Sequence, residues 1–278
     1  MKDRKILVFL LILFVANALT WNLLFYLRED NLRVVFFDVG QGDAIFIKTP
    51  QNHHILIDGG PGNVILEKIG RELPFFYNSI DLVILTHPHD DHVAGLIEVL
   101  KRYHVEEVIC SGILGDSAVS KKWNSMIEKR GYRAVIAGQR ISAGNFYIDI
   151  LFPIANLKGK KVSDLNTVSV ISRLVYKEDA SFLFMGDAYK EQERELMSYK
   201  ERSEFFFLDS DVLKVGHHGS RTSTAEDFLR AVSPKVAVIM AGEDNQFGHP
   251  HKETLKTLEK FDTKVMRTDQ DGDIVFLF

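Results

Sequence analysis

Residues 86–92, Thr-His-Pro-His-Asp-Asp-His, follow directly on the apolar run 81–85. An apolar run of this length predicts a buried strand, and a strand that turns into a helix at its end can aim neighbouring side chains at one place. Imidazole and carboxylate groups are ligands of zinc and manganese. The spacing therefore predicts two adjoining metal positions, His87 with His89 and Asp91 with His92. The alternative is a polar loop with chance histidines, in a chain that has 10 histidines in 278 residues.

Two later apolar runs also end in candidate metal ligands. Asp187 ends the run 181–186, and a carboxylate at the tip of a buried strand needs a partner or a metal ion. Its alternative role is the N-cap of a following helix. His217 and His218 follow the run 211–216. Adjacent residues at a strand end point in different directions, so one of the two would bind metal and the other would meet substrate, and the spacing leaves the choice open.

Two further carboxylates stand in glycine-rich turns. Asp58 precedes Gly59 and Gly60, and Asp43 follows Gly42. A metal-bound histidine usually donates its other ring N–H to a carboxylate or a carbonyl. We therefore expect Asp58 and Asp43 to hold metal-binding histidines. The tight turns alone would explain these glycines equally well.

Five strings of the sequence stand in an order that is typical of one family: residues 37–44, 57–60, 86–92, 213–220 and 247–251. Together they resemble the metallo-β-lactamase family and, more narrowly, the hydrolase domain of the ComEC family of competence channel proteins. The resemblance extends from about residue 34 to the C-terminus. It implies an α/β fold of the αββα sandwich type, a bridging role for Asp187 between two divalent metal ions, and single-stranded DNA as the substrate.

The sequence departs from the family pattern at the metal position of His87 and His89. Many members supply a third histidine between the motif 87–92 and the bridging aspartate. In this chain His104 is the only histidine of that interval, and it is expected to be structural. Residues 163–167 occupy the region of that ligand, and Asp164 or Asn166 would substitute through oxygen. Oxygen ligands favour harder ions. We therefore expect two divalent ions, zinc or manganese, with a relaxed preference for zinc.

Several residues are expected on the substrate side of the site. His249 is the candidate general acid, and Asp91 is expected to be catalytic through its metal. Asn166, Ser220 and His251 are candidates for substrate binding, although His251 could instead open the last helix. Lysine is a point-charge binder of phosphate, and a basic segment for this role consists of Lys158, Lys160 and Lys161. The alternative for these lysines is a solvated loop.

The N-terminus differs in composition from the rest of the chain. Residues 1–5 form a basic flank, and residues 6–27 form an apolar run without a charged side chain, long enough to span a bilayer as a helix. The basic flank is expected to stay in the cytoplasm, which puts the domain 31–278 outside. Residues 16–18, Ala-Asn-Ala, resemble a signal-peptidase site. The apolar run continues beyond them and favours an uncleaved, single-pass anchor.

Composition narrows the class of protein. Strand-type and helix-type runs alternate from residue 34 onward, which by themselves predict a mixed α/β domain. The apolar fraction of 46% suffices for a sizeable core. The net charge of −4 argues against a broad basic face for nucleic acid, though not against a local basic edge. The single cysteine, Cys110, excludes an intramolecular disulfide.

These features predict a membrane-anchored, divalent-metal-dependent phosphodiesterase that cuts single-stranded DNA. Two metal ions would supply a bridging hydroxide as the nucleophile at neutral pH and would stabilise the attacking and leaving oxygens. One alternative is a phosphodiesterase that acts outside the cell on choline phosphate of cell-wall polymer. Another is a catalytically silent, metal-stabilised binding domain that partners a separate DNA-uptake channel protein. With one candidate span, the chain is not expected to be the channel itself.

Overall fold

The chain divides into two compact units in a computed structural model that describes residues 2–26, 31–74, 76–200 and 206–278. The first unit, Met1–Asn31, contains helix α1 (Lys2–Tyr26), and the second is Leu32–Phe278. The stretch Arg4–Trp21 of α1 is long and apolar enough to cross a membrane, as a signal sequence also would be. Residues 1 and 27 of the predicted flank and anchor lie outside the described residues.

The second unit is built on two seven-stranded sheets. The first sheet contains, in spatial order, β14 (Ile274–Leu277), β1 (Arg33–Phe36), β2 (Ile45–Lys48), β3 (His54–Ile57), β4 (Ser79–Ile84), β5 (His104–Cys110) and β6 (Arg133–Ala134). The second contains β13 (Lys264–Arg267), β12 (Val236–Ile239), β11 (Val212–Lys214), β10 (Ala180–Phe184), β9 (Ile171–Tyr176), β8 (Phe146–Phe152) and β7 (Arg140–Ala143).

Helices cover the outer face of each sheet. The first sheet carries α2 (Val64–Glu72), α3 (Asp90–Arg102) and α4 (Ala118–Arg130). The second carries α5 (Lys190–Lys200), α6 (Glu226–Val232) and α7 (Lys252–Lys260), and the short α8 (Thr268–Asp271) follows β13. Two 3-10 helices, Leu165–Val168 and Gly216–Gly219, lie in loops. The predicted αββα sandwich is confirmed.

Strand β1 shows why both sides of the sheets are buried. Val34 and Phe36 face the core between the two sheets, whereas Val35 packs in the core under the helices of the first sheet. Side chains alternate along a strand, so a continuous apolar run is what a strand covered on both faces requires. The ring of Phe36 lies 6.2 Å from that of Phe184, and the ring of Phe276 lies 5.5 Å from that of Phe182, so aromatic contacts join the first sheet to the second.

The strand ends decide where a site can form. Strands β3 and β4 are parallel neighbours in the first sheet, and β10, β11 and β12 are parallel neighbours in the second. The carboxyl ends of parallel strands meet at one edge of a sheet, which is where open α/β folds bind ligands. Four predicted ligand segments follow the ends of β3, β4, β10 and β11, so the topology brings them together; they contain Asp58, residues 87–92, Asp187 and residues 217–218.

Three elements were not predicted: β7, β13 and α8. The two strands lie at opposite edges of the second sheet, and each has only four residues, partly exposed. Segments this short give a weak periodic signal. The apolar run 168–176 reads as one strand, but the strand starts at Ile171, because Val168 belongs to the 3-10 helix.

Candidate metal centre

Histidine and aspartate side chains from five loops converge at the carboxyl ends of the strands. Ligand atoms lie within 4.8 Å of one another in four overlapping groups. The members are Asp43, Asp58, His87, Asp91, His92, Asp187 and His218. All but Asp91 are buried. Burying so many charged or polar groups together is costly unless they are paired or coordinate an ion.

One group has the spacing of a single coordination shell. Asp187 Oδ2 lies 3.4 Å from both His92 Nε2 and His218 Nε2, and Asp91 Oδ2 lies 3.5 Å from His218 Nε2 and 4.0 Å from His92 Nε2. Ligands about 2.0–2.1 Å from a tetrahedral ion stand roughly 3.3 Å apart. These four residues therefore fit one divalent ion.

The two histidines of this group present a free nitrogen to the centre. His92 Nδ1 is 2.8 Å from Asp58 Oδ2, and His218 Nδ1 is 2.8 Å from the carbonyl oxygen of Met240. Both Nε2 atoms are buried and lack a hydrogen-bond partner within the described part of the chain, as does Asp187 Oδ1. A buried polar atom without a partner calls for an unseen ligand. Metal ligation with the opposite ring nitrogen tied to an oxygen is the usual arrangement.

Asp58 joins the first motif to the end of β3. Its carboxylate accepts hydrogen bonds from the Thr86 amide at 2.8 Å and the Thr86 hydroxyl at 2.6 Å, besides the contact with His92. Asp58 is fully buried and adopts a left-handed backbone conformation, with φ of 57°. The carboxylate thereby fixes both the loop after β4 and the orientation of one imidazole.

Backbone geometry aims His217 and His218 apart. Both residues follow β11 and have positive φ values, 48° and 54°. Such conformations cost energy in non-glycine residues and concentrate at functional sites. His218 turns into the candidate metal group, whereas His217 Nε2 lies 3.3 Å from Asn166 Nδ2 and Nδ1 lies 3.1 Å from Thr222 Oγ1. The structure thus separates the two histidines that the spacing left undecided.

Gly42 allows the motif 87–92 to pack closely against the turn between β1 and β2. A Cβ atom added to this residue would stand 2.1 Å from the carbonyl oxygen of Asp91, and its φ is 137°. Only glycine fits both conditions. The turn between β1 and β2 therefore packs directly against the backbone of Asp91.

The second predicted metal position contains His87 and His89. His87 Nε2 lies 3.0 Å from His89 Nδ1 and 3.8 Å from Asp187 Oδ2, so Asp187 borders both positions. Ser169, which sequence reasoning missed, donates or accepts at 3.4 Å from His87 Nδ1 and accepts a hydrogen bond from the Asp187 amide at 3.1 Å. A serine has no sequence signature for such a contact.

The region of the missing third histidine offers Asn166 rather than Asp164. Asp164 accepts a hydrogen bond from the Asn166 amide at 2.9 Å as the N-cap of the 3-10 helix, and it belongs to none of the four groups. Asn166 is buried and lines the cavity at the centre. Its Nδ2 donates to the Tyr189 hydroxyl at 2.9 Å, whereas its buried Oδ1 has no partner among the described residues.

Lys214, at the end of β11, is a fully buried cation beside the centre. Its ammonium group forms a short ion pair with Asp43, lies 3.9 Å from Asp187 Oδ1 and donates to the Gly186 carbonyl at 3.0 Å. Sequence reasoning missed this role. A lysine inside an otherwise apolar strand could have indicated it, because a buried charge needs a partner.

Electrostatics at the centre are dominated by the carboxylates. Burial alone would lower the pKa of His218, but Asp187 and the other nearby carboxylates outweigh it and raise that pKa well above its ordinary value. The same balance raises the pKa of His92. Burial would raise the pKa of Asp187, but His218 and His92 hold it well below its ordinary value. The centre therefore attracts positive charge.

A cavity of about 490 Å³ opens over these ligands. Its lining residues are Gln41, Pro88, His89, Asp90, Asp91, Asp116, Ser117, Ser120, Leu165, Asn166, Asp187, His217, His218, Phe247 and His249. A second cavity of about 570 Å³ shares His89, Asp116 and Leu165 with the first and includes Lys160 and Lys161.

The predicted substrate-side residues divide between these cavities and other places. His249 lies in the first cavity, and burial followed by the charges of His217 and His218 lowers its pKa to about 4. Ser220 is buried outside both linings, and Lys158 lies over the ring of Tyr132 at 5.1 Å. His251 is the N-cap of α7, where its Nδ1 accepts from the Arg221 amide at 3.1 Å.

Known proteins are similar to this chain in sequence. ComE operon protein 3 of Bacillus subtilis (strain 168) is 30% identical over 266 residues, which covers 88% of this chain and 33% of that protein. Competence protein ComA of Neisseria gonorrhoeae is 28% identical over 249 residues, covering 89% of this chain and 32% of that protein. The chain therefore spans about a third of the length of the curated relatives it matches.

A solved structure and a family profile agree with these relatives. The metallo-beta-lactamase fold protein YhfI from Bacillus subtilis superimposes with a TM-score of 0.56 at 14% identity, covering 90% of this chain and 100% of that one, which is a likeness of fold. The profile of the family described as the metallo-beta-lactamase superfamily matches residues 37–243. With the sandwich, the histidine–aspartate cluster and this match in agreement, the chain belongs to the metallo-beta-lactamase superfamily.

Proposed function

We propose that this chain is a membrane-anchored, divalent-metal-dependent phosphodiesterase that cuts single-stranded DNA. The observation that carries the proposal is the pair of buried, unpartnered Nε2 atoms of His92 and His218, each 3.4 Å from Asp187 Oδ2, which is the spacing of ligands in one coordination shell. A metal-dependent hydrolase accords with the superfamily. The phosphodiester substrate is suggested by the competence proteins to which the chain is similar.

We assign one ion to Asp91, His92, Asp187 and His218, and the other to His87, His89 and Asp187. Asn166 is a better oxygen ligand for the second ion than Asp164, because its Oδ1 is free at the cavity wall. When bound, two divalent ions would lower the pKa of water and offset the charge of a phosphodiester in its transition state. Zinc and manganese both suit this mixed nitrogen and oxygen set.

The chain's own residues would orient the substrate. A pKa of about 4 leaves His249 neutral at pH 7, so its ring is available for hydrogen bonding to a phosphate oxygen. Its role as a general acid would require the phosphate charge to raise that pKa. Lys160 and Lys161 would hold phosphates further along the strand. Lys158 is a weaker candidate because it contacts Tyr132 instead.

The second candidate function is hydrolysis of choline phosphate on cell-wall polymer. It is favoured by acidic Asp90 and Asp116 and by the Phe247 ring in the wall of the first cavity. Carboxylates and aromatic faces attract a quaternary ammonium group. Single-stranded DNA needs positive charge in the binding site, whereas the quaternary ammonium group of choline needs negative charge. Measuring the hydrolysis of both substrates therefore separates the two functions.

The proposed location follows from α1 and its basic flank. We propose that the domain 31–278 faces outside the cytoplasm and supports a separate DNA-uptake channel protein. External protease applied to spheroplasts should then digest the domain and leave the N-terminus with the membrane. Full protection of the domain would contradict this orientation.

The test of the enzymatic proposal uses the purified full-length chain with an end-labelled single-stranded oligonucleotide and with glycerophosphocholine. Cleavage of the oligonucleotide should require added manganese or zinc, and Asp187→Ala should lower it at least about 1,000-fold, because Asp187 borders both metal positions. The matched control is Asp149→Ala, which removes an aspartate paired with Arg140 far from the motif loops. Unchanged cleavage in Asp187→Ala, or full cleavage in chelator, would contradict the proposal.

A further inference from the structure

Phe247 is an exposed aromatic side chain in the wall of the metal cavity. Its exposed fraction is 53%, and it is the only Phe, Tyr or Trp among the described residues that line this cavity. Leaving a large apolar ring in water is unremarkable by itself. Apart from Pro88 and Leu165, the other residues that line this cavity are of polar types, so the ring offers an apolar face to a substrate part of matching character.

The loop that carries Phe247 is held by hydrogen bonds on both sides of the ring. Asn245 Nδ2 donates to the carbonyl oxygens of Gly242 and His249 at 2.9 Å and 2.6 Å, and Asn245 Oδ1 accepts from the His249 amide at 3.0 Å. The Phe247 ring also stacks on His249, with centroids 5.7 Å apart and an interplanar angle of 21°. A fixed ring loses little conformational freedom when a ligand stacks on it.

The ring contacts continue toward the metal centre. The His249 ring lies 6.1 Å from the ring of His218 at an interplanar angle of 30°. His218 is one of the four residues assigned to the first ion. Phe247 is therefore two ring contacts away from that centre, and a planar group would stack on the face of its ring that His249 does not occupy.

Lys160 and Lys161 lie in a different cavity from Phe247. Lys160 and Lys161 line the second cavity and not the first, whereas Phe247 lines the first and not the second. The two cavities adjoin through His89, Asp116 and Leu165. An elongated ligand could thus place phosphates at the lysines and a flat, neutral group at Phe247 with the metal centre in the connected space. A nucleic-acid strand alternates these two chemistries.

We infer that Phe247 is a substrate-binding residue that stacks on an unpaired nucleobase next to the cleaved phosphodiester. This inference rests on the proposed function and specifies which part of the substrate the cavity recognises. Aromatic side chains stack on any base and leave sequence unread, so the site would prefer single strands without a preferred sequence. Bases paired in a duplex would not offer a free face to the ring.

The experiment compares two oligonucleotides of equal length and charge, one of thymidine and one in which every base is replaced by an abasic sugar. Cleavage of each by the full-length chain is measured with manganese for wild type, Phe247→Ala, Phe247→Leu and Phe247→Trp. The matched control is Phe207→Ala, because Phe207 is 51% exposed and lines neither cavity.

Loss of stacking should lower kcat/KM on the thymidine oligonucleotide between about 5-fold and 150-fold in Phe247→Ala. Phe247→Leu should show a similar loss because it keeps apolar bulk without an aromatic face, and Phe247→Trp should retain activity. Cleavage of the abasic oligonucleotide should stay within about twofold in every variant, as should all activity of Phe207→Ala.

Three results would overturn the inference. Equal losses on both oligonucleotides would mean that the ring shapes the metal centre, and equal rates throughout would mean that it touches no base. A loss confined to glycerophosphocholine would assign Phe247 to a choline group. If wild type cuts neither oligonucleotide, the proposed function itself fails, and that outcome is distinguishable because it appears before any substitution at Phe247.

Discussion

The substitution Asp58→Asn tests how the protein prepares an imidazole for metal binding. Asn is close in shape to Asp and tolerates the left-handed conformation of this position, where φ is 57°. The change therefore leaves the backbone in place and alters only the hydrogen bonding. In the wild type, three donors point at the Asp58 carboxylate: the amide and hydroxyl of Thr86 and the Nδ1–H of His92.

An asparagine at this position would place an NH₂ group where one carboxylate oxygen stands. If that group faces His92, Nδ1 must accept a hydrogen bond, and the ring proton moves to Nε2. Nε2 is the atom that the structure leaves free for a metal ion, and a protonated nitrogen cannot bind one. Changes to such supporting partners typically cost 10-fold to 100-fold in metal affinity, or about 1.4–2.7 kcal/mol.

The assay is competition between the protein and a chelating dye for manganese or zinc, resolved into its two binding steps. One step should weaken by about 10-fold to 100-fold in Asp58→Asn, and the other should change much less. The control is Asp81→Asn, since Asp81 also accepts from a backbone amide, that of His54, and from a histidine, His53, but lies outside the metal groups. Equal metal affinity in Asp58→Asn and wild type would refute the tautomer argument.

Two further predictions concern buried charges. Lys214→Met leaves the buried Asp43 carboxylate without its ammonium partner, so it should lower the free energy of unfolding in urea by about 3–5 kcal/mol. The control Lys235→Met removes an exposed lysine paired with Asp211 and should leave that free energy nearly unchanged. Equal effects of the two substitutions would contradict the buried ion pair of Lys214 and Asp43. Burial raises the pKa of Glu193 from 4.5 to about 7, although the Thr224 and Ala225 amides donate hydrogen bonds to its carboxylate. The folded state therefore holds the Glu193 proton more tightly than the unfolded state does. The resulting stabilisation is complete below pH 4.5 and is lost as the pH rises through 7. The loss should approach about 3 kcal/mol in wild type and disappear in Glu193→Gln, and parallel pH profiles of the two proteins would contradict it.

The sequence predicted the parts of the site that are local. The motif 87–92 and Asp187 directly follow apolar runs, and each run became a strand whose end faces the centre. The αββα architecture came from the resemblance, whereas periodicity supported only a mixed α/β domain. Asp58 was predicted as a support for a histidine because glycines and a preceding strand marked its turn.

The sequence could not predict contacts between residues that are distant along the chain. Lys214 pairs with Asp43 across the space between the two sheets, and no local pattern joins these positions. Which of His217 and His218 faces the metal centre depends on their left-handed backbone conformations. Two adjacent histidines give no sign of these conformations in the sequence. Asp164 was a reasonable ligand by charge, but its position at the start of a 3-10 helix commits its carboxylate to a backbone amide.

The charges explain why such a site can fold before it binds metal. Four carboxylates gather at the centre, those of Asp43, Asp58, Asp91 and Asp187, and the buried ammonium of Lys214 contacts Asp43 and Asp187. This imbalance leaves a net negative charge in a mostly buried region. The raised pKa values of His92 and His218 mean that protons supply the missing positive charge in the metal-free protein. Those protons occupy the same Nε2 atoms that a metal ion needs. Metal binding must therefore displace them, so folding, proton release and metal affinity are coupled through one pair of imidazoles.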